Sequence, residues 1–446
     1  MNFIRKITSL IYLILSLIVL TYIIYKSEII HQGQKRDYFI VYYFASSILI
    51  IFSVLTFYLN KKLKDYFFYS ISFFIISVFL LEIYLDFKNN KIKLAYLQKV
   101  KDERSLIFEK KYLSKFDDRD KYEIFDNLKN FDDNISLFIK PNRYLLDNKK
   151  IFPLSGISFS KTIFCNQAGF YSIYQSDRYG FNNPDKEWES EEVEYLLIGD
   201  SFVQGACVNR PDDMASKLRK VSKKKVLNLG YYGNGPLIEY AVLREYLKPN
   251  VKKIIWFYFE GNDLTNLKSE LKNHLLLKYY NDPFFSKNLR KKQNKIDDLG
   301  FLKIEEDRYK KKFKEQRKIT KLFKLPNLRG YMNKFLPEKN KPKIEIPLKE
   351  MKNILNLAKK ISDENNSELY FVYLPTYERY KFSNFKSEKM NLKKITNELK
   401  IEFLDIDEII FKKAKNPKKL FSLGLGYHYN EKTYEKISKK IYNLTK

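Results

Sequence analysis

Residues 193–201 read VEYLLIGDS, a short apolar run followed at once by a Gly-Asp-Ser turn. Its β-branched, aromatic and aliphatic residues favour a strand, and residues 212–223 after it have helical character. Four later runs repeat this pairing of apolar strand and amphipathic helix: KVLNL (225–229), IIWFYF (254–259), LYFVYL (369–374) and IEFLDI (401–406). This alternation predicts an α/β fold, with a parallel sheet and helices on both of its faces.

Residues suited to chemistry follow three of these predicted strands. Ser201 ends the first turn, the glycine-rich loop NLGYYGNG (228–235) follows the second strand, and Asn262 follows the third. In parallel sheets of this kind, functional residues gather at the carboxyl ends of the strands. There, a serine can expose its hydroxyl, a glycine can leave its N–H uncovered, and an Asn amide can donate to an oxyanion. Each block taken alone also fits an ordinary turn or helix cap.

A serine nucleophile needs a base, and the chain has three histidines. His31 lies between two apolar segments, and His274 lies in a charged insertion. His428 follows the last predicted strand, in the sequence GYHYN (426–430), and precedes a helical segment. His428 is therefore the candidate base, with a buried structural histidine as the alternative interpretation.

Together and in this order, the four blocks resemble the SGNH family, also called GDSL-type esterases and acyl hydrolases, over residues 190–446. The resemblance implies a flavodoxin-like, three-layer α/β/α domain in which Ser201 is the nucleophile and His428 is its base. It also implies an oxyanion hole made by the Ser201 N–H, the Gly233 N–H and the Asn262 side chain. Acyl transfer of this type is expected to need no metal and no cofactor.

One position departs from the pattern of this family. The family's last block usually has an Asp three residues before the His, where it orients the imidazole, but this chain has Leu425 there. One interpretation is a Ser–His dyad whose ring is held by a backbone carbonyl, and another is an acid supplied by Asp405 or Asp407. A third is an inactive envelope protein of this fold that binds polysaccharide or scaffolds a membrane assembly.

Cys165 and Cys207 are the two cysteines of the chain. A disulfide between them would hold the segment before the first strand beside Ser201, and it would suit an oxidising compartment. Two free, buried thiols are the alternative. Residues 150–190 are also similar to the lead-in segment of membrane-anchored bacterial SGNH proteins, which favours an envelope setting.

Three apolar stretches lie near the N-terminus, at about 7–25, 38–60 and 66–85. A helix needs about 20 apolar residues to cross a bilayer, and the third stretch reaches that length if Glu82 lies at the headgroup level. The sequence therefore predicts three transmembrane helices. Basic residues flank both sides almost equally, so sidedness rests on two other points. The odd number of spans puts the termini on opposite sides, and the setting of the family that the chain resembles favours an inner-membrane protein whose C-terminal domain is periplasmic.

The predicted organisation has three parts: a membrane anchor at 1–90, a charged helical stalk at 91–150, and the SGNH-like domain at 151–446 with a basic insertion at about 265–345. Within that insertion, residues 287–324 contain 15 basic and 6 acidic residues, a net charge of +9. A solvated helical insertion is the simpler interpretation, and contact with anionic lipid headgroups or acidic polysaccharide is the other.

The whole chain has 446 residues and a formal charge of +29, from 82 Lys and Arg against 53 Asp and Glu. Only 14 of these cations are Arg, the residue that nucleic-acid recognition favours, so no nucleic-acid partner is expected. A hydrophobic content of 45% excludes a wholly disordered chain. The expected partners are an acylated carbohydrate or lipid substrate and the membrane.

Overall fold

The computed structural model describes residues 2–30, 33, 36–145, 151–312, 325–335 and 346–446. The chain divides into two compact units, one made of Met1–Ile92 and Lys318–Leu336, the other of Lys93–Arg317 and Pro337–Lys446. The described α-helices are α1 Asn2–Ile24, α2 Arg36–Leu55, α3 Lys61–Tyr112, α4 Lys121–Lys129, α5 Ser201–Gln204, α6 Met214–Ser222, α7 Pro236–Tyr246, α8 Asp263–Glu270, α9 His274–Asn281, α10 Gln293–Lys312, α11 Pro326–Phe335, α12 Leu348–Glu364, α13 Glu378–Lys381, α14 Lys389–Glu398 and α15 Glu431–Leu444.

Five strands of the second unit form one parallel sheet in the order β5-β4-β6-β7-β8. They are β4 Val193–Ile198, β5 Val226–Asn228, β6 Val251–Phe259, β7 Glu368–Leu374 and β8 Glu402–Asp405. The predicted α/β class with a parallel sheet is confirmed. Because β5, β4 and β6 are neighbours, the three blocks that follow them meet at the same edge of the sheet.

Successive side chains of a strand point to opposite faces of the sheet. Both faces of this sheet are apolar, and helices pack on each of them. On β4, Leu196 and Ile198 pack into the same core as α7 and α12. Tyr195 and Leu197 pack into the core on the other face, with α6 and α15. Burial of each such Leu or Ile side chain stabilises the fold by about 1.5–3 kcal/mol. The result is three layers, with helices on both sides of the sheet.

A smaller sheet precedes the large one and consists of β1 Ile135–Leu137, β2 Lys161–Ile163 and β3 Ile173–Gln175. Strand β1 pairs parallel to β2, and β2 pairs antiparallel to β3. Ile135 and Leu137 pack with Phe125 of α4 and Ile304 of α10 in a core of their own. Residues 121–145 were expected to be part of a stalk, but their apolar side chains make them part of the folded unit.

Within the described ranges, two helices are long and apolar enough to cross a membrane, Ser9–Ile30 and Lys62–Tyr112, by length and composition alone. The middle predicted span, 38–60, corresponds to α2 Arg36–Leu55, in which the apolar stretch found among fully described residues is Tyr42–Leu55. It ends at Leu55 because the chain turns there, and Asn60 Oδ1 accepts the Leu63 N–H at 2.9 Å to begin α3. The sequence predicted three spanning helices, and two candidates are found among the described residues, by length and composition alone. An odd number of spans, on which sidedness was based, is therefore not supported.

Glu82, which was expected at the headgroup level, has polar partners within the first unit. Its side chain on α3 is 1% exposed. It accepts the N–H groups of Asn327 at 3.0 Å and Leu328 at 2.8 Å, the second and third residues of α11. A carboxylate at a helix N-terminus satisfies free N–H groups and complements the helix dipole. Glu82 thus fixes the start of α11 within the first unit.

Candidate active site

Ser201 is the first residue of α5, directly after the turn that leaves β4. A Cβ atom on Gly199 would lie 2.6 Å from Val203 Cγ2, so this turn requires a glycine. Asp200 caps the helix, and its Oδ1 accepts the Phe202 N–H at 3.0 Å. The turn therefore fixes Ser201 at the carboxyl edge of the sheet, where the residue is 4% exposed.

The glycine-rich loop after β5 packs against this turn. The Tyr231 N–H donates to the Gly199 carbonyl at 3.1 Å, and the Tyr232 N–H donates to Gln204 Oε1 at 2.7 Å. A Cβ atom on Gly230 would lie 2.4 Å from Val203 Cβ. The close approach of the loop to α5 therefore depends on that glycine.

His428 reaches Ser201 from a loop that ends at the N-cap of α15. The loop is closed by a bridge between Phe421 and Tyr429, and the Ser422 N–H donates to the His428 carbonyl at 2.8 Å. The imidazole is buried, and its Nε2 lies 2.8 Å from Ser201 Oγ. The structure thus brings together the nucleophile and the base that were expected from the sequence.

Gln167 holds the other ring nitrogen, and sequence reasoning missed it. Its Oε1 lies 2.7 Å from His428 Nδ1. The tautomer that satisfies both contacts carries its proton on Nδ1, so the ring donates to Gln167 and accepts from Ser201. The only sequence signal was the position of Gln167 two residues after Cys165, in a segment expected to lie near the site.

A disulfide joins Cys165 to Cys207, with 5.3 Å between their Cα atoms. Cys165 lies in the loop between β2 and β3, the same loop that carries Gln167. Cys207 lies six residues after Ser201, and its Sγ is 3.9 Å from His428 Nδ1. The bond therefore ties the loop that carries Gln167 to the segment that carries the nucleophile.

Burial lowers the pKa of His428 from its usual value to about 3, and the positive charge of Lys140 acts in the same direction. A pKa of about 3 leaves the imidazole neutral at all ordinary pH values, which is the form that accepts a proton. Lys140 Nζ lies 4.1 Å from the centre of the Tyr232 ring, which itself lies 5.7 Å from the imidazole ring.

Asp200 is a buried carboxyl beside the nucleophile. Burial raises its pKa to about 6, against the opposing effect of donors that include the Phe202 N–H, the Ser201 hydroxyl and the Asn262 amide. Its Oδ2 lies 3.2 Å from Ser201 Oγ. Ser201 therefore has two acceptors for its hydroxyl proton, of which His428 Nε2 is the nearer.

The two other expected oxyanion donors lie in the loops after β5 and β6. Gly233 has a left-handed backbone (φ +84°), and its N–H meets no acceptor among the described residues. Asn262 precedes α8 without capping it, and its buried Oδ1 has no partner in the described part of the chain. Neither residue is hydrogen-bonded to Ser201 there, so their role as oxyanion donors stays a prediction.

Asp405 and Asp407 do not contact His428, and the prediction that one of them orients it is wrong. Asp407 Oδ2 lies 2.8 Å from Lys389 Nζ, and its Oδ1 accepts from the Tyr380 hydroxyl at 2.5 Å. Asp405 Oδ2 lies 3.1 Å from the same Lys389 ammonium. Both carboxylates are occupied by a lysine on α14, because the end of β8 packs against that helix.

No group of three or more His, Cys, Asp or Glu side chains is arranged to hold a metal ion within the ranges that the structure describes.

The chain has only weak similarity to known proteins. No family model matches the chain, and no curated protein does. Among solved structures, similar chains include one described as a lipolytic protein of the G-D-S-L family from Desulfitobacterium hafniense DCB-2, at 13% identity and a TM-score of 0.31, covering 57% of this chain and 99% of that one. Another is the psychrotrophic esterase EstA from a Pseudoalteromonas species, in a structure inhibited by monoethylphosphonate, at 12% identity and a TM-score of 0.28, covering 56% and 96%. Likenesses this weak carry no argument, so the proposals below rest on the geometry of this chain.

Proposed function

We propose that this chain is a serine acyl-ester hydrolase or O-acyltransferase that acts through an acyl-enzyme on Ser201. The observation that carries the proposal is the pair of contacts on His428, with Nε2 2.8 Å from Ser201 Oγ and Nδ1 2.7 Å from Gln167 Oε1. A nucleophile, a base and a group that orients the base, all within hydrogen-bonding distance, form the arrangement that nucleophilic catalysis requires.

The reaction proceeds in two acyl-transfer steps. His428 Nε2 takes the Ser201 proton while Oγ forms a bond to the ester carbonyl carbon, and the carbonyl oxygen becomes an oxyanion. The bond to the leaving alkoxy oxygen then breaks, and His428 returns the proton to that oxygen. Water, or a sugar hydroxyl in the transferase, then attacks the acyl-Ser201 ester with the same proton movements in reverse.

Gln167 takes the place of the carboxylate that Leu425 does not supply. Its amide oxygen holds the Nδ1 proton and so fixes the tautomer in which Nε2 is free to accept. A neutral amide stabilises the imidazolium less than a carboxylate does. This is consistent with a His428 pKa of about 3, which burial lowers and no neighbouring carboxylate raises.

We assign the oxyanion hole to the Ser201 N–H, the Gly233 N–H and the Asn262 amide. Ser201 is the first residue of α5, so its N–H lacks an intrahelical acceptor. The Gly233 N–H is likewise without an acceptor in the described residues. Donors that are already in place are suited to a charge that develops only in the transition state. The Gly233 N–H is unoccupied in the described residues, whereas the Ser201 N–H and the Asn262 amide also act on the Asp200 carboxyl.

The proposed setting is a bacterial envelope membrane, with the α/β unit outside the cytoplasm and an acylated carbohydrate or lipid as substrate. Two apolar helices support the membrane anchor by length and composition. The Cys165–Cys207 disulfide supports the extracytoplasmic side, because such bonds persist in oxidising compartments.

Turnover of a short-chain aryl acetate by the full-length protein in detergent tests this function. Ser201→Ala and His428→Ala should each lower kcat/KM by at least about 10³-fold, as expected for residues that act as a unit. His274→Ala, on a helix of the insertion, is the matched control and should retain the rate. Equal background rates in all four proteins would favour a protein of this fold that only binds its ligand.

A further inference from the structure

A cleft of about 690 Å³ lies beside the candidate active site in the second unit. Gln167 and Tyr232 form part of its wall, and both also contact His428. The cleft therefore borders the residues that contact His428, and its own lining does not include Ser201 or His428. We call it the basic cleft, because its lining includes five cations: Lys121, Lys140, Arg143, Lys310 and Lys311.

The carboxylates of the protein neutralise only part of this charge. Asp307 in the cleft wall pairs with Arg143, and Asp120 pairs with Lys311. Lys121 and Lys140 make no ion pair with any carboxylate of the described ranges. A cation that is taken out of water without an anionic partner loses solvation that an aromatic ring replaces only in part.

The two lysines without an ion pair are both partly withdrawn from water, and the charge of Lys140 acts on Lys121. Lys121 and Lys140 are half-buried, and burial lowers the pKa of each ammonium group. After burial, the charge of Asp307 raises the pKa of Lys121, repulsion by Arg143 and Lys140 lowers it, and the charge of Asp120 raises it. An anion placed between the two ammonium groups would remove this repulsion and supply the missing partner.

Aromatic rings lie between these cations. Lys140 Nζ lies 4.1 Å from the centre of the Tyr232 ring, and Lys121 Nζ lies 4.9 Å from that of Tyr122. An acyl chain would desolvate five cations without pairing any of them, so the cleft is unsuited to a fatty chain. A chain of sugar rings with anionic groups matches both the aromatic rings and the cations of the cleft. The faces of the sugar rings are weakly polar and can pack on the aromatic rings, and the anionic groups can pair with the lysines.

Resting on the proposed acyl transfer, we propose that the basic cleft binds a carboxylate- or phosphate-bearing glycan as the acylated substrate or the acyl acceptor. Lys121 and Lys140 bind the anionic group, and this places a neighbouring hydroxyl or ester of the same chain at Ser201. The basic insertion takes part through Lys310 and Lys311, which end α10. These two lysines are the part of its positive charge that we assign to substrate binding.

Binding to full-length Ser201→Ala protein in detergent tests the cleft separately from catalysis. The probes are tetragalacturonate, phosphorylated maltotetraose and neutral maltotetraose, measured by calorimetry at low and high salt. We expect at least one anionic probe to bind 10-fold or more tighter than the neutral one, and this preference to weaken with salt. The two anionic probes separate a carboxylate ligand from a phosphate ligand.

Lys121→Gln and Lys140→Gln, each combined with Ser201→Ala, should reduce the affinity for the preferred anionic probe at least about 5-fold, which corresponds to about 1 kcal/mol. Lys393→Gln, on the exposed face of α14, is the matched control and should leave it unchanged. Equal affinity for charged and neutral probes would overturn the proposal, as would binding only to phosphatidylglycerol vesicles. Anionic glycan binding by a protein that fails to turn over any ester would overturn the proposed enzyme function and leave the cleft assignment standing.

Discussion

Replacing Gln167 with Glu should convert the neutral orienting group of His428 into a charged one. Gln167 is half-buried, so a carboxylate there can stay ionised. With the two charges about 4 Å apart and an effective dielectric constant of about 20, their attraction is about 4 kcal/mol. Since 1.36 kcal/mol corresponds to a tenfold change in an acid constant, the pKa of His428 should rise from about 3 to about 6.

The sign of the effect on activity follows from the form of the imidazole that acts as base. Neutral His428 accepts the Ser201 proton, so activity is lost when the pH falls below the pKa of the imidazole. The wild type should keep its rate down to about pH 4, whereas Gln167→Glu at pH 5 should keep about a tenth of its own plateau rate. Its plateau at pH 8 should be at least as high as that of the wild type, because a more basic imidazole accepts the proton more readily.

The assay is kcat/KM for an aryl acetate between pH 4 and 9, with product measured after quenching. Gln175→Glu on β3 is the matched control, since it adds the same charge at an exposed position and should leave the profile unchanged. Gln167→Leu, which leaves the Nδ1 proton without an acceptor at a cost of about 1–3 kcal/mol, should lower kcat/KM by roughly 5- to 150-fold. If kcat/KM of Gln167→Glu falls at the same low pH as that of the wild type, the assigned contact between Gln167 and His428 is refuted.

Three further perturbations test other parts of the site. Asn262→Ala should lower kcat by about 10²–10³-fold while KM changes little, because an oxyanion donor acts in the transition state; an equal rise in KM would indicate a substrate-binding role instead. Replacing Cys165 and Cys207 together by Ala should lower the free energy of unfolding by about 2–4 kcal/mol, measured by denaturant titration, and should also lower kcat/KM because the loop that carries Gln167 is released. Asp407→Asn should cost about 3–5 kcal/mol of stability, because it breaks a buried ion pair, yet leave the acid limb of His428 where it is in the wild type; a displaced limb would restore Asp407 as the orienting acid.

The sequence predicted the sheet and the placement of Ser201, because both depend on local patterns. Each strand is an apolar run of β-forming residues, and the residues after neighbouring parallel strands must meet at one edge. His428 could be chosen because the chain has so few histidines. These inferences needed only the order of elements along the chain.

The partner of His428 could not be predicted in the same way. Gln167 lies 261 positions from His428, in a loop of a separate three-stranded sheet, and no local pattern marks a glutamine as an orienting group. Asp407 was a reasonable candidate, since it follows the last strand, but the lysine that occupies it comes from α14. The boundary of the stalk was missed for a similar reason, because a three-residue strand such as β1 is recognised only by what it pairs with.

Labelling of the full-length protein with a fluorophosphonate tests the central claim most directly, because the reagent forms a stable bond only with an activated serine. Mass spectrometry of the digested protein should place the phosphonyl group on Ser201. Labelling should be absent in Ser201→Ala, slowed by at least about 10²-fold in His428→Ala, and unchanged in His274→Ala. Failure of the wild type to label, or equal labelling of the wild type and His428→Ala, would contradict a serine activated by His428.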